Sequence, residues 1–159
     1  MCIRDRDRNP VSLKELILNM HELYEPIAES DGIKLNYEVN DDIIINGNYN
    51  LLSQALANLI ENAINYGCSN DNPSINVGAK QNENLLSLWV SDNGIGIKDV
   101  DKDKVLERFV RLDSSRSLKG SGLGLNIVSS AVKFHEGTLK LINAKPSGLI
   151  ILIEIPVES

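Results

Sequence analysis

The stretch Asn58-Leu-Ile-Glu-Asn62-Ala-Ile-Asn-Tyr66 lies within the strongest helical pattern of the chain. Apolar residues recur there at the three- and four-residue steps of one buried helix face. These residues are Leu52, Ala55, Leu56, Leu59, Ile60, Ala63 and Ile64. The pattern predicts a helix that begins after a cap at Asn48 or Asn50 and continues to about Tyr66, with Gly67 as its stop signal.

The polar residues of this helix share the face opposite the apolar one. They are Asn58, Glu61, Asn62 and Asn65. Such a face is often simply solvated. However, asparagine is a mediocre helix former, and its amide oxygen suits a hard cation such as Mg²⁺ that is held mainly by phosphates. Asn62 is therefore a candidate metal ligand.

A second cluster, Asp92-Asn-Gly94-Ile-Gly96-Ile97, directly follows a predicted strand at Leu85 to Ser91. Glycines at this point allow the backbone to leave the sheet and a planar ligand to approach closely. The Asp92 carboxylate can accept a hydrogen from the amine of a nucleobase, and Ile95 and Ile97 would wall the base. The alternative is an ordinary Asp-Asn-Gly turn after a strand.

A third cluster, Gly120-Ser-Gly122-Leu-Gly124-Leu125, opens a predicted helix from Leu123 to about Glu136. Unpaired N–H groups and the positive end of the helix dipole favour a phosphate there. Neither the Gly-Lys-Ser/Thr phosphate loop nor the dinucleotide pattern Gly-x-Gly-x-x-Gly is present. A flexible glycine-rich loop is the alternative.

Residues 98 to 121 are rich in charge and serine, and we expect a partly ordered, mobile lid. Its cations could close over a triphosphate, although lid charges are usually only solvated. They are Arg108, Arg111, Arg116 and Lys119. Together, the amide oxygens, the single carboxylate and the glycine N–H groups supply what a bound Mg-ATP requires.

Composition narrows the class of protein. The chain has 159 residues, 42% of them hydrophobic, and no apolar run near the roughly 20 residues of a membrane helix, so one soluble domain is expected. The net charge of −6 argues against nucleic-acid binding. Cys2 and Cys68 lack metal-ligand spacing, which favours reduced thiols and a cytoplasmic location.

We expect residues 1–9 to be a disordered or non-native end, with the true chain continuing upstream, and residues 10–159 to form the domain. The remaining pattern predicts a helix from Ser12 to about Ser30 and a hairpin that joins Ile33–Val39 to Asp42–Asn46 through Asn40-Asp41. Further strands are predicted at residues 75–80, 138–143 and 149–155. The expected fold is a two-layer α/β sandwich with a mixed, mostly antiparallel sheet covered on one face by three helices.

Four ordered motifs resemble those of the sensor histidine kinase catalytic domain. Residues 58–66, 92–97, 107–111 and 120–125 look like its asparagine box, first glycine box, phenylalanine box and second glycine box. The resemblance spans residues 10 to 156. It implies the Bergerat ATP-binding fold of the gyrase, Hsp90, histidine kinase and MutL superfamily, with ATP and Mg²⁺ as cofactors.

The resemblance also implies roles for individual residues. It puts Asn62 on the metal, Asp92 on adenine and Tyr66 beside the nucleotide, and it makes Asn62, Glu61 and Arg111 the catalytic candidates. The implied nucleotide-binding set is Asn58, Asn62, Asn65, Tyr66, Asp92, Gly94, Gly96, Ile97, Arg116, Lys119, Gly120, Ser121, Gly122, Leu123, Gly124 and Leu125.

Two positions, Asn65 and Leu149, depart from the family pattern. Lysine is frequent where Asn65 stands, and threonine is frequent where Leu149 stands, which removes a phosphate-directed charge and makes the pocket floor less polar. The hydrolysing relatives place a glutamate where this chain has Asn58. A dedicated base for water is therefore missing, slow hydrolysis is expected, and the phosphoryl group should go to a histidine.

Neither histidine of this chain is expected to be that acceptor. The setting His21-Glu-Leu-Tyr-Glu-Pro26 imitates an acceptor motif, but too few residues separate it from Asn58 to hold a dimerisation hairpin. His21 is interpreted as a partly exposed helix residue and His135 as a cap or packing residue.

The function expected from the resemblance is transfer of the ATP γ-phosphoryl group to a histidine on a separate dimerisation domain, followed by relay to a response regulator receiver domain. Autophosphorylation would need that missing domain. The chain alone is expected to be a monomer, in the cytoplasm or on an inner-membrane parent protein. The alternatives are an ATP hydrolase of the same superfamily, a nucleotide-binding module without turnover, and a serine-directed anti-sigma kinase.

Overall fold

The computed structural model describes residues 8–39, 43–67, 72–94, 121–143 and 148–157. The elements in chain order are β1 (Asn9–Ser12), α1 (Leu13–Ser30), β2 (Lys34–Glu38), β3 (Ile44–Gly47), α2 (Tyr49–Asn62), a π-helical turn (Ala63–Gly67), β4 (Ser74–Asn82), β5 (Leu85–Asp92), α3 (Ser121–Phe134), β6 (Thr138–Asn143) and β7 (Leu149–Pro156). The strand β1 begins one residue before the domain start expected from the sequence.

The main sheet has five strands in the order β2-β4-β5-β7-β6. Only the edge pair β2 and β4 is parallel, and the other three pairs are antiparallel. The central strand β5 places Asp92 opposite Ile75 of β4 and Leu149 of β7. This arrangement confirms the predicted mixed, mostly antiparallel α/β fold.

The predicted hairpin between residues 33–39 and 42–46 is wrong. The strand β2 pairs in parallel with β4, from Lys34 with Ser74 onward, whereas β3 pairs antiparallel with β1 in a separate two-stranded sheet. Alternation of apolar and polar residues identifies a strand but does not name its partner. The strand β1 was not predicted, because it has only four residues and two of them are exposed.

The helix α1 begins where predicted, since the Ser12 side chain accepts a hydrogen bond from the Glu15 N–H at 3.2 Å. It ends at Ser30 and is followed by the predicted stop signal Asp31-Gly32, where Gly32 has a φ of +75°, which favours glycine. In the described part of the chain, no helix is long and apolar enough to cross a membrane.

The core lies between the helices and one face of the sheet. The α2 residues predicted to be buried are buried, except that Ile64 is only partly covered. They join one cluster with Leu86 and Leu88 of β5 and Ile153 of β7. Burial of the apolar face fixes α2 against the sheet and leaves its asparagine face to the outside.

Candidate functional site

The helix α2, which bears the asparagine cluster, has a distinct local structure at each end. Asn48 caps α2, and its side-chain oxygen accepts a hydrogen bond from the Leu51 N–H at 3.0 Å. The helix is regular as far as Asn62 and then widens into the π-helical turn from Ala63 to Gly67. The predicted extent is correct, but periodicity gave no sign of the π turn. Such turns occur frequently at functional sites.

The asparagine side chains are partly or fully accessible. Asn58 and Asn62 are partly buried, and Asn65 is exposed. Asn58 donates a hydrogen bond from its amide nitrogen to the Gln54 carbonyl at 2.8 Å, so this nitrogen is used within the helix. No cluster of three or more His, Cys, Asp or Glu side chains that could hold a metal occurs in the five described ranges.

Glu61, adjacent to Asn62, is tied to α1. The buried Tyr24 hydroxyl donates a hydrogen bond of 2.5 Å to Oε2 of Glu61. Burial, and then this bond to the carboxylate, raise the pKa of Tyr24 well above its ordinary value, so the phenol stays protonated as the donor. The predicted catalytic candidate Glu61 thus has a fixed partner that sequence reasoning missed.

Asp92 ends the central strand β5 in a partly buried position. Its Oδ1 accepts a hydrogen bond from the Gly94 N–H at 2.9 Å. Burial raises the pKa of Asp92, and hydrogen bonds from the backbone N–H groups of Gly94 and Leu149 partly offset this rise. Leu149, where a threonine side chain was expected, therefore acts on Asp92 through its backbone.

Asn93 is a positioning residue that the sequence interpretation passed over as part of a turn. Its amide nitrogen donates to the Asn72 carbonyl at 2.8 Å, and its amide oxygen accepts from the Ser74 N–H at 2.9 Å. The Asn93 N–H also donates to the Ser74 carbonyl at 3.3 Å. These bonds join the chain after β5 to the start of β4 and fix the backbone next to Asp92.

Gly148 packs against the other side of the end of β5, next to Asp92. A Cβ at Gly148 would lie 1.9 Å from the Asp92 carbonyl oxygen, and the residue has a φ of +115°. Both facts require glycine, because a side chain would displace the backbone that carries Asp92. Sequence analysis had assigned no role to this position.

Residues 121–125 of the predicted glycine cluster form the start of α3, and binding of an anion there stays a prediction. The backbone of α3 is helical from Ser121, two residues before the predicted start. The π turn contacts β5, while α2 contacts both β5 and α3. The helix α2 is thus in contact with β5 and α3, the two elements that bear the other predicted clusters.

Several predicted residues lie outside the described residues. They are Gly96, Ile97, Arg111, Arg116, Lys119 and Gly120, together with Ile95, Arg108 and nearly all of the expected lid. The backbone is described for Tyr66 and for Ser121, Gly122, Leu123, Gly124 and Leu125. Their roles stay predictions.

His21 occupies the partly exposed position on α1 that the sequence interpretation assigned to it. Its side chain is 17% exposed, and its Nε2 lies 3.6 Å from the Glu25 carboxylate. The same Nε2 lies 2.8 Å from the Leu35 carbonyl oxygen. His135, in contrast, is buried, with only 2% of its surface exposed.

Comparison with known proteins gives a consistent set of relatives. Residues 47–159 match the family described as histidine kinase-, DNA gyrase B- and HSP90-like ATPase. The signal transduction histidine-protein kinase BaeS of Escherichia coli is 31% identical over 151 residues, which are 94% of this chain and 32% of BaeS. The sensor-like histidine kinase SenX3 of Mycolicibacterium smegmatis is 29% identical, over 94% of this chain and 39% of SenX3. The chain therefore spans only about a third of these relatives.

Solved structures with the same fold include two domains of similar size. The mycobacterial sensor histidine kinase MprB has a TM-score of 0.75 at 30% identity, covering 94% of this chain and 99% of that chain. The catalytic domain of the histidine kinase ThkA, in a nucleotide-free form, has a TM-score of 0.77 at 25% identity, covering 94% and 97%.

Proposed function

The chain belongs to the histidine kinase-, DNA gyrase B- and HSP90-like ATPase family, and from this premise we propose that it is the ATP-binding catalytic domain of a two-component sensor kinase. The domain would bind Mg-ATP and pass the γ-phosphoryl group to a histidine on a separate dimerisation domain. A response regulator receiver domain would then take the phosphoryl group. The parent protein would be cytoplasmic or anchored in the inner membrane.

The observation that carries the proposal is the fixed carboxylate at the end of β5. Asp92 is partly buried and oriented by the Gly94 N–H, and Asn93 and Gly148 hold the backbone on both sides of it. A carboxylate held rigidly on a central strand can accept the amine hydrogen of adenine with little loss of entropy on binding.

The asparagine face of α2 supports the phosphate end of the same ligand. Asn62 would hold Mg²⁺ through its amide oxygen, and Asn58 and Asn65 would contact the phosphates. The ion, when bound, would neutralise charge on the β- and γ-phosphates. The chain's own contribution would be to position the triphosphate with these amides and with the N–H groups at the start of α3.

The contact of Glu61 with Tyr24 favours transfer to protein over hydrolysis. A general base must reach a water molecule beside the γ-phosphate. Glu61 accepts a hydrogen bond from α1, and the position one helical turn before Asn62 holds Asn58, which has no basic group. Slow hydrolysis by the chain alone is therefore expected.

The test is phosphoryl transfer between two separate proteins. The chain is incubated with γ-labelled ATP, Mg²⁺ and the dimerisation domain of its parent protein, and acid-labile label on protein is measured. Label on the dimerisation domain, and none on the chain alone, is the expected result. The His21→Gln variant is the matched control and should transfer as well as the unsubstituted chain.

Other outcomes would contradict the proposal. Free phosphate without labelled protein would indicate a hydrolase, and acid-stable label would indicate a serine-directed kinase. Tight nucleotide binding with neither product would indicate a binding module without turnover.

A further inference from the structure

His135, directly after α3, is buried and makes two hydrogen bonds through its ring. Its Nδ1 lies 2.7 Å from the Ala131 carbonyl oxygen, and its Nε2 accepts the Asn48 N–H at 3.0 Å. A carbonyl can only accept, so Nδ1 carries the hydrogen and Nε2 carries the lone pair. The two bonds therefore fix one neutral tautomer of the imidazole.

The residues around the His135 imidazole restrict the position of the ring. A Cβ added to Gly47 would lie 2.7 Å from the His135 Nε2, and the Phe134 ring packs edge-on against the imidazole at a centroid distance of 5.0 Å. The Arg8 guanidinium covers the Phe134 ring at 4.5 Å. Arg8 also donates to the Phe134 carbonyl and, at 3.3 Å, to the Asn46 carbonyl.

The position of this cluster relates it to the ATP site. Asn48 caps the start of α2, and His135 follows the end of α3, while the two helices pack against each other. Each helix has 14 residues, or about 21 Å at ~1.5 Å per residue. Because His135 joins the end of α3 to the start of α2, the glycine start of α3 and the Asn62 end of α2 lie together at the opposite end of this helix pair.

We propose that neutral His135 is a positioning residue that joins the end of α3 to the start of α2 and thereby sets the spacing of the asparagine and glycine clusters around ATP. This inference rests on the proposed ATP-binding function. The imidazole contacts no ligand itself and acts through the two helices.

Protonation of His135 would break its link between α3 and α2. A proton on Nε2 would set a donor against the Asn48 N–H, at the positive end of the α2 dipole. Burial lowers the pKa of His135, the Ala131 carbonyl opposes this shift, and the positive charge of Arg8 adds to the lowering. The facing segment Asn46–Asn48 has no ionisable side chain, and Lys133 and Glu136 on the α3 side are exposed.

The test compares two variants with the unsubstituted chain. His135→Gln can keep a neutral acceptor for the Asn48 N–H, whereas His135→Leu cannot. Affinity for Mg-ATP is measured by calorimetry at several pH values between 5.5 and 8. At pH 7.5, His135→Leu should bind roughly five- to tenfold more weakly, and His135→Gln should bind within about twofold of the unsubstituted chain.

The pH profile separates positioning from general destabilisation. Because the pKa of His135 is lowered, the unsubstituted chain should lose affinity only well below pH ~6.5, the ordinary pKa of histidine, and His135→Gln should lose less. His21→Gln, which removes the other histidine, should keep the unsubstituted profile. This comparison needs no leucine variant and holds even if His135→Leu fails to fold.

Two results would overturn the inference alone. These are a folded His135→Leu variant with unchanged affinity, and a His135→Gln variant with the same pH profile as the unsubstituted chain. Failure of the unsubstituted chain to bind Mg-ATP at any pH would instead overturn the proposed function, and this inference with it.

Discussion

Tyr24 on α1 donates a hydrogen bond of 2.5 Å to Glu61 on α2. The phenol is buried, whereas Glu61 lies on the outer face of its helix. This bond is one of the few polar links between the two helices among the described residues, together with the Asn19 amide that donates to the Tyr49 hydroxyl at 2.8 Å. It therefore fixes Glu61, the neighbour of Asn62, relative to α1.

Removal of the Tyr24 hydroxyl should loosen this link. For Tyr24→Phe we expect a loss of about 1 kcal/mol in the free energy of unfolding, because one hydrogen bond is lost while its acceptor, Glu61, is exposed to water. Denaturant unfolding measures it. Tyr37→Phe is the matched control, since Tyr37 is 45% exposed, and it should change stability by less than about 0.5 kcal/mol. Equal effects of the two substitutions would contradict the role given to the Tyr24 bond.

Asp92→Asn should separate binding from stability. The substitution removes a charge that burial disfavours, and the asparagine oxygen can still accept a hydrogen bond from the Gly94 N–H. The unfolding temperature of the chain without ligand should therefore not fall. Affinity for ATP should fall by about tenfold or more, because the base amine loses a charged acceptor. Asp31→Asn, at an exposed helix end, is the control. A lower unfolding temperature with unchanged affinity would refute the assignment of Asp92.

The raised pKa of Asp92 also predicts a dependence of ATP binding on pH. The carboxylate accepts the base amine best when it is ionised, so affinity should decline as the pH falls toward the raised pKa. Stability moves the other way: the folded state holds this proton more tightly than the unfolded state, so ionisation of Asp92 costs stability as the pH rises. Calorimetric titration of the chain with ATP between pH 4.5 and 7.5 measures the first effect. Asp92→Asn should remove this part of the pH dependence, and an unchanged profile in the variant would count against it.

Asn62→Asp should impair Mg-dependent transfer more than affinity for ATP without metal. A carboxylate changes the charge around the cation and repels the phosphates that should share it. Transfer to the dimerisation domain and affinity for metal-free ATP are measured side by side. Gln54→Glu, which adds the same charge at an exposed position of α2, should leave both quantities near their original values. Normal transfer by Asn62→Asp would exclude Asn62 as the metal ligand.

Asn93→Ala should destabilise the start of β4 and weaken ATP binding together. It removes the donor to the Asn72 carbonyl and the acceptor for the Ser74 N–H, at a cost of about 1–3 kcal/mol in the free energy of unfolding. Asn93→Asp retains the acceptor and should have a smaller effect. Asn50→Ala, on the exposed start of α2, is the control. If Asn93→Ala and Asn50→Ala unfold at the same denaturant concentration, Asn93 does not hold this segment.

The features that the sequence predicted well depend on local pattern. The buried face of α2, the starts of α1 and α2 and the strands β4 and β5 follow from spacing and from single residue types. The glycine start of α3 was predicted to within two residues. Asp92 was singled out because it directly follows a predicted strand, and its contact with adenine stays a prediction.

The features that the sequence did not predict depend on distant partners. The links of Asn93 to Asn72, Tyr24 to Glu61 and His135 to Asn48 join residues between 21 and 87 positions apart. No local pattern marks such pairs, because each residue type has many ordinary uses in turns, cores and helix ends. The incorrect prediction of a hairpin has the same cause, because β2 pairs with a strand that follows α2 in the chain.

The parallel pairing of β2 with β4 has a consequence for how the chain folds. The connection from β2 to β4 contains β3 and α2, because a parallel pair requires a crossover rather than a tight turn. Closure of the loop costs entropy before the pairing returns any free energy. The antiparallel pair β4 and β5, with its two-residue connection, can form early, and the β2 edge of the sheet must be added late.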